Sequence, residues 1–225
     1  CQQFGTKSLK GFGVEGLKNG ISAAGAILYY LEFTEHREIS HIKNISRIDQ
    51  NEYVWVDKFT IRNLELFSSN SAQQKTGFAD VIDRTLTSMG GRLLKRWIAM
   101  PLISVERINR RLDIVECLTT DSDIAAALRE QISAVGDLER ISSRIAAGRV
   151  LPRELVQLKN SLSAVETLKA LLESTDKGCL HDIAAQIDTL SNVQQRLAHD
   201  IYPDPANNQI QKGGVIADGV STELD

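Results

Sequence analysis

Hydrophobic positions along this chain recur mostly three and four apart, the spacing of one helical face. From Glu15 to about Phe33, Leu17, Ile21, Ala24, Leu28 and Leu31 form one such stripe. Residues 36–52 break the pattern. They hold His36, His41, Lys43, Arg47, Asp49 and Gln50 among scattered isoleucines, and read as an extended linker. Ile39, Ile42, Ile45 and Ile48 fall three apart, so a helix stays open there. Tyr53 to Val56 is a short β-type run, and Asp57 sits where a helix N-cap is wanted. A helix is predicted from Lys58 to Phe67, a polar loop over Ser68–Thr76, and a short apolar turn over Phe78–Ile82.

The second half is more regular. Thr87 or Ser88 caps a helix with Leu93, Leu94, Trp97 and Ile98 on its buried face, so Trp97 reads as core. Pro101 ends it, because a proline disfavours helix in the residue before it. Ser104 caps the next helix, with Arg107 at the capping-box position. Val105, Ile108, Leu112 and Val115 are predicted as its buried stripe. Asp121 or Ser122 starts a helix to about Ile132. Gly136 breaks it, Asp137 caps another to Ala147, and Gly148 stops that one. Pro152 opens the longest helix, with Leu155, Leu158, Leu162, Val165, Leu168 and Leu172 in register to about Ser174. Helical patterns continue at Leu180–Leu190 and Val193–Ala198. Tyr202-Pro-Asp-Pro205 cannot continue a helix. Gly213–Gly219 is a turn-rich strand or loop, and Thr222–Asp225 looks like a first helical turn.

Composition adds exclusions. Of the 225 residues 42% are hydrophobic and 24% charged, an ordinary globular balance. The formal net charge is −3. A free-standing DNA-binding domain usually carries a basic excess, because phosphate neutralisation drives affinity. Three cysteines, Cys1, Cys117 and Cys179, do not make a disulfide framework and fit a reducing cytoplasm. Cys179 and His181 lack the second ligand pair that a zinc site needs. The apolar run Ala23–Leu31 is far shorter than a membrane span. No signal peptide is visible, and the Cys-Gln-Gln start suggests a cut from a longer chain.

Catalytic patterns are missing. The sequence has no Gly-x-x-x-x-Gly-Lys-[Ser/Thr] phosphate loop, no strand-linked Gly-x-Gly-x-x-Gly, no Gly-x-Ser-x-Gly elbow and no His-Glu-x-x-His. Glu154, Glu166 and Glu173 read as solvated helix faces. One stretch stands apart. From Arg84 to Arg111 seven basics (Arg84, Arg92, Lys95, Arg96, Arg107, Arg110, Arg111) face one acid, Glu106. Such a patch could attract DNA phosphates. The plainer reading pairs these basics with acids such as Asp83, Asp113, Asp137 and Glu139.

Several of these segments carry a family pattern. Ile21–Leu31 followed by Tyr53-Val-Trp-Val-Asp-Lys-Phe-Thr-Ile-Arg-Asn-Leu-Glu-Leu66 resembles the passage from connector to core in the MutS family of mismatch repair proteins. Leu86-Thr-Ser-Met-Gly-Gly-Arg-Leu-Leu-Lys-Arg-Trp-Ile-Ala-Met-Pro-Leu102 is similar to that family's most recognisable core helix. Gly136-Asp-Leu-Glu-Arg140 with Arg144 resembles another segment, and Gly213–Gly219 with Glu223-Leu-Asp225 the approach to its clamp. The likeness covers nearly the whole chain in the family's order, and its connector-like start favours a MutS over paralogues that lack that part. The residues that carry it structurally are Asp57, Asn63, Met89, Gly90, Arg92, Trp97, Pro101, Asp137 and Arg140.

The resemblance implies a mainly α fold: a bundle of about seven helices over 53–212 with a long lever helix. Residues 1–35 would be the terminal segment of an α/β connector domain, 36–52 a linker and 213–225 the approach to the clamp. It implies a cytoplasmic parent that is a homodimer, binds mismatched DNA, and uses ATP and magnesium at a Walker loop to drive a DNA clamp. The mismatch-reading domain and the Walker loop are not in this sequence. No catalytic, cofactor-binding or metal-binding residue is therefore expected, and the segment itself is not expected to be an enzyme. Its partners would be the connector, clamp and ATPase parts of the same protein. The rival reading is a helical module that binds the DNA backbone directly through Arg92, Lys95, Arg96, Arg107, Arg110 and Arg111.

Overall fold

The structure is a computed structural model; it describes residues 1–34, 39, 42–48, 50–68, 76–205, 213–221 and 223. His36, His41, Asp49, most of the predicted 68–76 loop and most of the predicted turn at 222–225 lie outside these residues. Among the described residues there are ten α-helices and no β-strand. Pairing is limited to two isolated antiparallel bridges, Tyr53 with Leu102 and Ile201 with Ile216. Contacts divide the chain into two units: Cys1–Asp49 with Glu139–Leu151, and Gln50–Leu138 with Pro152–Asp225.

In the first unit α1 (Lys18–Phe33) forms where its stripe predicted it. None of its residues is buried. The unit's buried apolar side chains are Leu9, Val14, Ile39 and Ile141. Gln3 ties the two ends of its N-terminal stretch together, donating from Nε2 to the Ile39 carbonyl at 2.6 Å and the Ile42 carbonyl at 3.2 Å. Described residues between 42 and 48 are irregular, in keeping with the linker reading.

The second unit is built on capped helices. In α2 (Lys58–Asn63) the Asp57 carboxylate accepts from the Thr60 N–H at 2.7 Å; the Thr60 side chain first, and then this N–H, hold that carboxyl below its usual pKa. The helix stops at Asn63, short of the predicted Phe67. Glu65 turns left-handed (φ 49°), and the carbonyls of Glu65 and Leu66 accept from Phe78 and Ala79, each at 2.8 Å. That pairing also converts the expected turn at 78–82 into α3 (Phe78–Ile82), where the Asp80 carboxylate accepts from Gly77 N–H. The predicted strand Tyr53–Val56 reduces to the Tyr53 bridge, with Val54 N donating to the Pro101 carbonyl at 2.8 Å.

Thr87, Ser104 and Asp121 cap α4 (Ser88–Ala99), α5 (Val105–Thr120) and α6 (Ser122–Ala134) as expected. After α7 (Leu138–Ala146) come α8 (Pro152–Glu173), α9 (Gly178–Ala185) and α10 (Ser191–Asp200). The 53–212 stretch thus holds nine described α-helices rather than about seven, partly because 78–82 closes into one. The helix predicted over 180–190 ends at Ala185. Asp188 then accepts from Leu190 N–H at 3.0 Å, and Lys169 donates to the Ile187 carbonyl at 3.0 Å.

α8 is the axis of this unit and packs against α6, α9 and α10. Twenty-two residues at about 1.5 Å each make a rod of roughly 33 Å. Ser161, Leu162 and Ala164 are all buried, so within one turn the helix is covered on more than one side. Ser161 is fully buried and accounts for its polarity: its Oγ donates to the Gln157 carbonyl at 2.8 Å and accepts from Gly136 N–H at 2.9 Å. A Cβ at Gly136 would lie 2.6 Å from the Gln157 amide nitrogen, so a larger residue there would have to push the Gln157 side chain aside. The main core joins α5, α6, α8 and α9 through Cys117, Leu128, Leu172, Leu180 and Ala184.

One expected stripe is overturned. On α5 the side chains that reach this core are Ile114, Cys117 and Leu118; of the expected stripe only Ile108 is half-buried, while Val105, Leu112 and Val115 are exposed, Val105 at 69%. The helix carries two apolar rows, and its neighbours α6 and α9 cover the row that starts one position away from the predicted one.

Candidate nucleic-acid interface on the basic helices

The six basic residues singled out from sequence lie on α4 and α5. The loop into α4 is set by Asp83, whose Oδ1 accepts from the Thr85 hydroxyl at 2.7 Å and the Thr85 N–H at 2.9 Å. The Thr85 hydroxyl is the main reason the Asp83 carboxyl sits below its usual pKa, with the Lys95 and Arg84 charges adding to it. Gly90 N–H donates to the Thr87 hydroxyl at 3.0 Å. A Cβ at Gly90 would press on Thr85 and Thr87, so this first turn of α4, with half-buried Met89, is closely fitted to its loop.

Most of the arginines have partners. Arg92 grips Asp137 with both terminal guanidinium nitrogens, at 2.9 and 2.7 Å. Arg107 donates to Glu52 at 3.1 Å, and this bond, then that to Tyr53, raises the guanidinium above its usual pKa. Arg110 pairs with Glu106 one turn back, at 2.6 Å. Arg111 lies 3.5 Å over the Trp97 ring, a cation–π stack. Burial there is the main cause that lowers the Arg111 pKa, with the Arg107 charge second. Arg96 stands in the last turn of α4, where a cation complements the helix dipole.

Trp97 therefore differs from its expected place in the core. Leu94 and Ile98 are the half-buried row of α4, while Leu93 and Trp97 form a second, outward row, and Trp97 is 40% exposed. Of the remaining signature residues, Pro101 ends α4 and offers its carbonyl to Val54, and Asn63 is the exposed last residue of α2. Arg140 lies in the other unit, on α7.

Sequence reading did not find the Glu52–Arg107 pair, the Arg111–Trp97 stack or the buried Ser161. Glu52 and Arg107 lie far apart in the chain, and a serine within an apolar helix carries no spacing signal.

The arrangement offers charge and hydrogen-bond donors. Three acids, Asp137, Glu52 and Glu106, are set against the seven basics, which cuts the local excess without cancelling it. Among the described residues no group of three or more His, Cys, Asp or Glu could hold a metal ion. Cys179 packs against the main core, whereas His181 Nε2 meets the Thr175 carbonyl at 2.7 Å. No described helix is long and apolar enough to cross a membrane.

Comparison with known families gives two matches. The model of MutS domain II covers residues 1–43, and that of MutS domain III covers residues 59–218. Among curated proteins, the DNA mismatch repair protein MutS of Phocaeicola vulgatus is 48% identical over 224 residues, all of this chain and 26% of that protein. Its counterpart from Bacteroides thetaiotaomicron shows the same identity and coverage. That of Christiangramia forsetii is 46% identical over 222 residues, 99% of this chain and 25% of its own length. The chain thus spans about a quarter of the relatives it matches. With domain II at its start and domain III over most of the remainder, on a mainly helical fold, the chain belongs to the MutS family.

Proposed function

We propose that this chain works as an internal, non-catalytic segment of a mismatch repair protein, and that α8 is its lever. The supporting observation is the burial of α8 on more than one side along a single uninterrupted helix. A helix held that way moves as a body, because packed cores shift between discrete arrangements rather than deform. In the parent, binding of ATP and magnesium at a site outside this sequence would bias a DNA clamp through that rod. The residues here do not fit ATP itself, since the sequence holds no phosphate loop of the Walker kind. The parent's homodimer and its cytoplasmic location belong to the same proposal.

The test uses the full-length protein and ATP-triggered release of mismatched DNA. Leu162→Pro should break the rod and abolish the response of release to ATP while both ligands still bind. Leu162→Ala, which keeps the helix, should retain it. Normal ATP-triggered release in the proline variant would end the lever reading.

The rival, direct DNA binding through α4 and α5, loses support from the three ion pairs. It expects the 225-residue chain to bind duplex DNA with a steep salt dependence. The lever reading expects no binding at low salt.

A further inference from the structure

Two of the chain's three cysteines meet in the core of the second unit. Cys117 stands in the last turn of α5 and is buried, 8% exposed. Cys179, in the first turn of α9, is half-buried and packs against the same core cluster. The two helices are in contact, and the two thiols are hydrogen-bonded to each other. Both sulfurs are free of covalent partners. A cysteine that serves only as a small apolar filler has no need of a second sulfur beside it.

Access to the two sulfurs is unequal. Gly178 borders Cys179, and a Cβ built on it would meet nothing within 4 Å, so the chain is open beside the half-buried thiol. A reagent from solvent reaches Cys179 before Cys117. Burial first, and then the hydrogen bond with Cys179, raise the Cys117 thiol above its usual pKa, so it stays protonated while the pair is reduced. Capping Cys179 removes that second cause. The Lys177 charge then favours the Cys117 thiolate, against the Asp121 charge.

We propose that Cys117 and Cys179 form a reversible redox site, which a low-molecular-weight disulfide oxidises to a cross-link between α5 and α9. The Cys179 thiolate attacks one sulfur of the small disulfide, forming a mixed disulfide and displacing one small thiolate. The Cys117 thiolate then attacks Sγ of Cys179. The bond between Cys179 and the small thiol breaks, and the second small thiolate leaves. Two protein thiols are oxidised, the small disulfide is reduced to two thiols, and the two protein protons end on them. A reducing compartment holds the pair as thiols, and a more oxidising one closes it. The bond closes residues 118–178, α8 among them, into one covalent loop. It braces the core where Leu172 packs, at the end of α8.

The test treats the folded 225-residue chain with oxidised glutathione, in a Cys1→Ser background that removes the exposed third thiol. Alkylation and peptide mass mapping follow the products. Cys117 and Cys179 should disappear from the alkylated pool together, as one linked peptide, with the chain lighter by two hydrogen atoms. Dithiothreitol should restore both thiols. In Cys117→Ala, Cys179 should keep glutathione as a stable adduct; in Cys179→Ala, Cys117 should stay a free thiol. The ratio of linked to glutathione-capped Cys179 should be about tenfold or more higher in native buffer than in urea, because the fold holds the second sulfur in place. Three results would each overturn the proposal: Cys179 remaining capped although Cys117 is present, linkage no more frequent than in urea, or both thiols left unreacted.

Discussion

α1 and α8 begin from similar sequence patterns and end in opposite environments. Both carry apolar side chains at helical spacing. On α8 five residues are buried, whereas on α1 none is, and Tyr29 and Phe33 stand 69% and 75% exposed. Periodicity states which face of a helix is apolar. It does not state whether anything in the same chain covers that face. α8 is covered because α6, α9 and α10 fold back onto it. Its stability is therefore shared with three other helices, while the stripe of α1, from Leu17 through Ile21, Ala24 and Leu28 to Leu31, is only half-buried.

The contrast can be broken most directly by truncating side chains. Leu162→Ala in α8 and Leu180→Ala in α9, which is 1% exposed, should each cost about 2–5 kcal/mol in urea unfolding. Ile27→Ala in α1 should change stability by no more than about 0.5 kcal/mol. Equal losses at both places would erase the distinction.

Ser161→Ala gives a smaller effect at the same axis. It removes the acceptor for the Gly136 N–H and should cost about 1–3 kcal/mol, with the loss persisting in a Gln157→Ala background, which keeps the carbonyl that the hydroxyl donates to. The Arg92–Asp137 fork is more exposed. A double-mutant cycle on it should yield about 1 kcal/mol or less, falling as salt is raised.

The last effect concerns pH. Burial, and then a hydrogen bond with Cys179, push the Cys117 thiol above its usual pKa. The folded chain then keeps a proton that the unfolded chain gives up. This contribution is fully present below the unfolded thiol pKa and is lost as pH rises through the folded one. The unfolding midpoint should hold from pH 7 to about 8.5 and fall above that, and Cys117→Val should flatten part of the fall.

Caps and stops were the most legible features. Asp57, Thr87, Ser104 and Asp121 each accept the N–H expected of a cap, because capping needs only residues within one turn. Features that depend on distant partners were less legible. The buried row of α5 could not be chosen between two apolar rows without knowing where α6 and α9 lie. The end of α2 is decided by pairing with Phe78 and Ala79. The stack of Arg111 on Trp97 joins two helices whose separate patterns had placed the indole in the core. The basic stretch was visible as composition, but its pairing with Glu52 and Asp137 was only half foreseen, through Asp137.

A lever must behave as one rod, and hydrogen exchange of the 225-residue chain tests this for α8 most directly. Backbone amides across the middle and end of α8 should share one slow exchange rate, with a common response to denaturant, while those of α1 exchange far faster. If the two halves of α8 open separately, or as readily as α1, the helix is not a rod and cannot act as a lever.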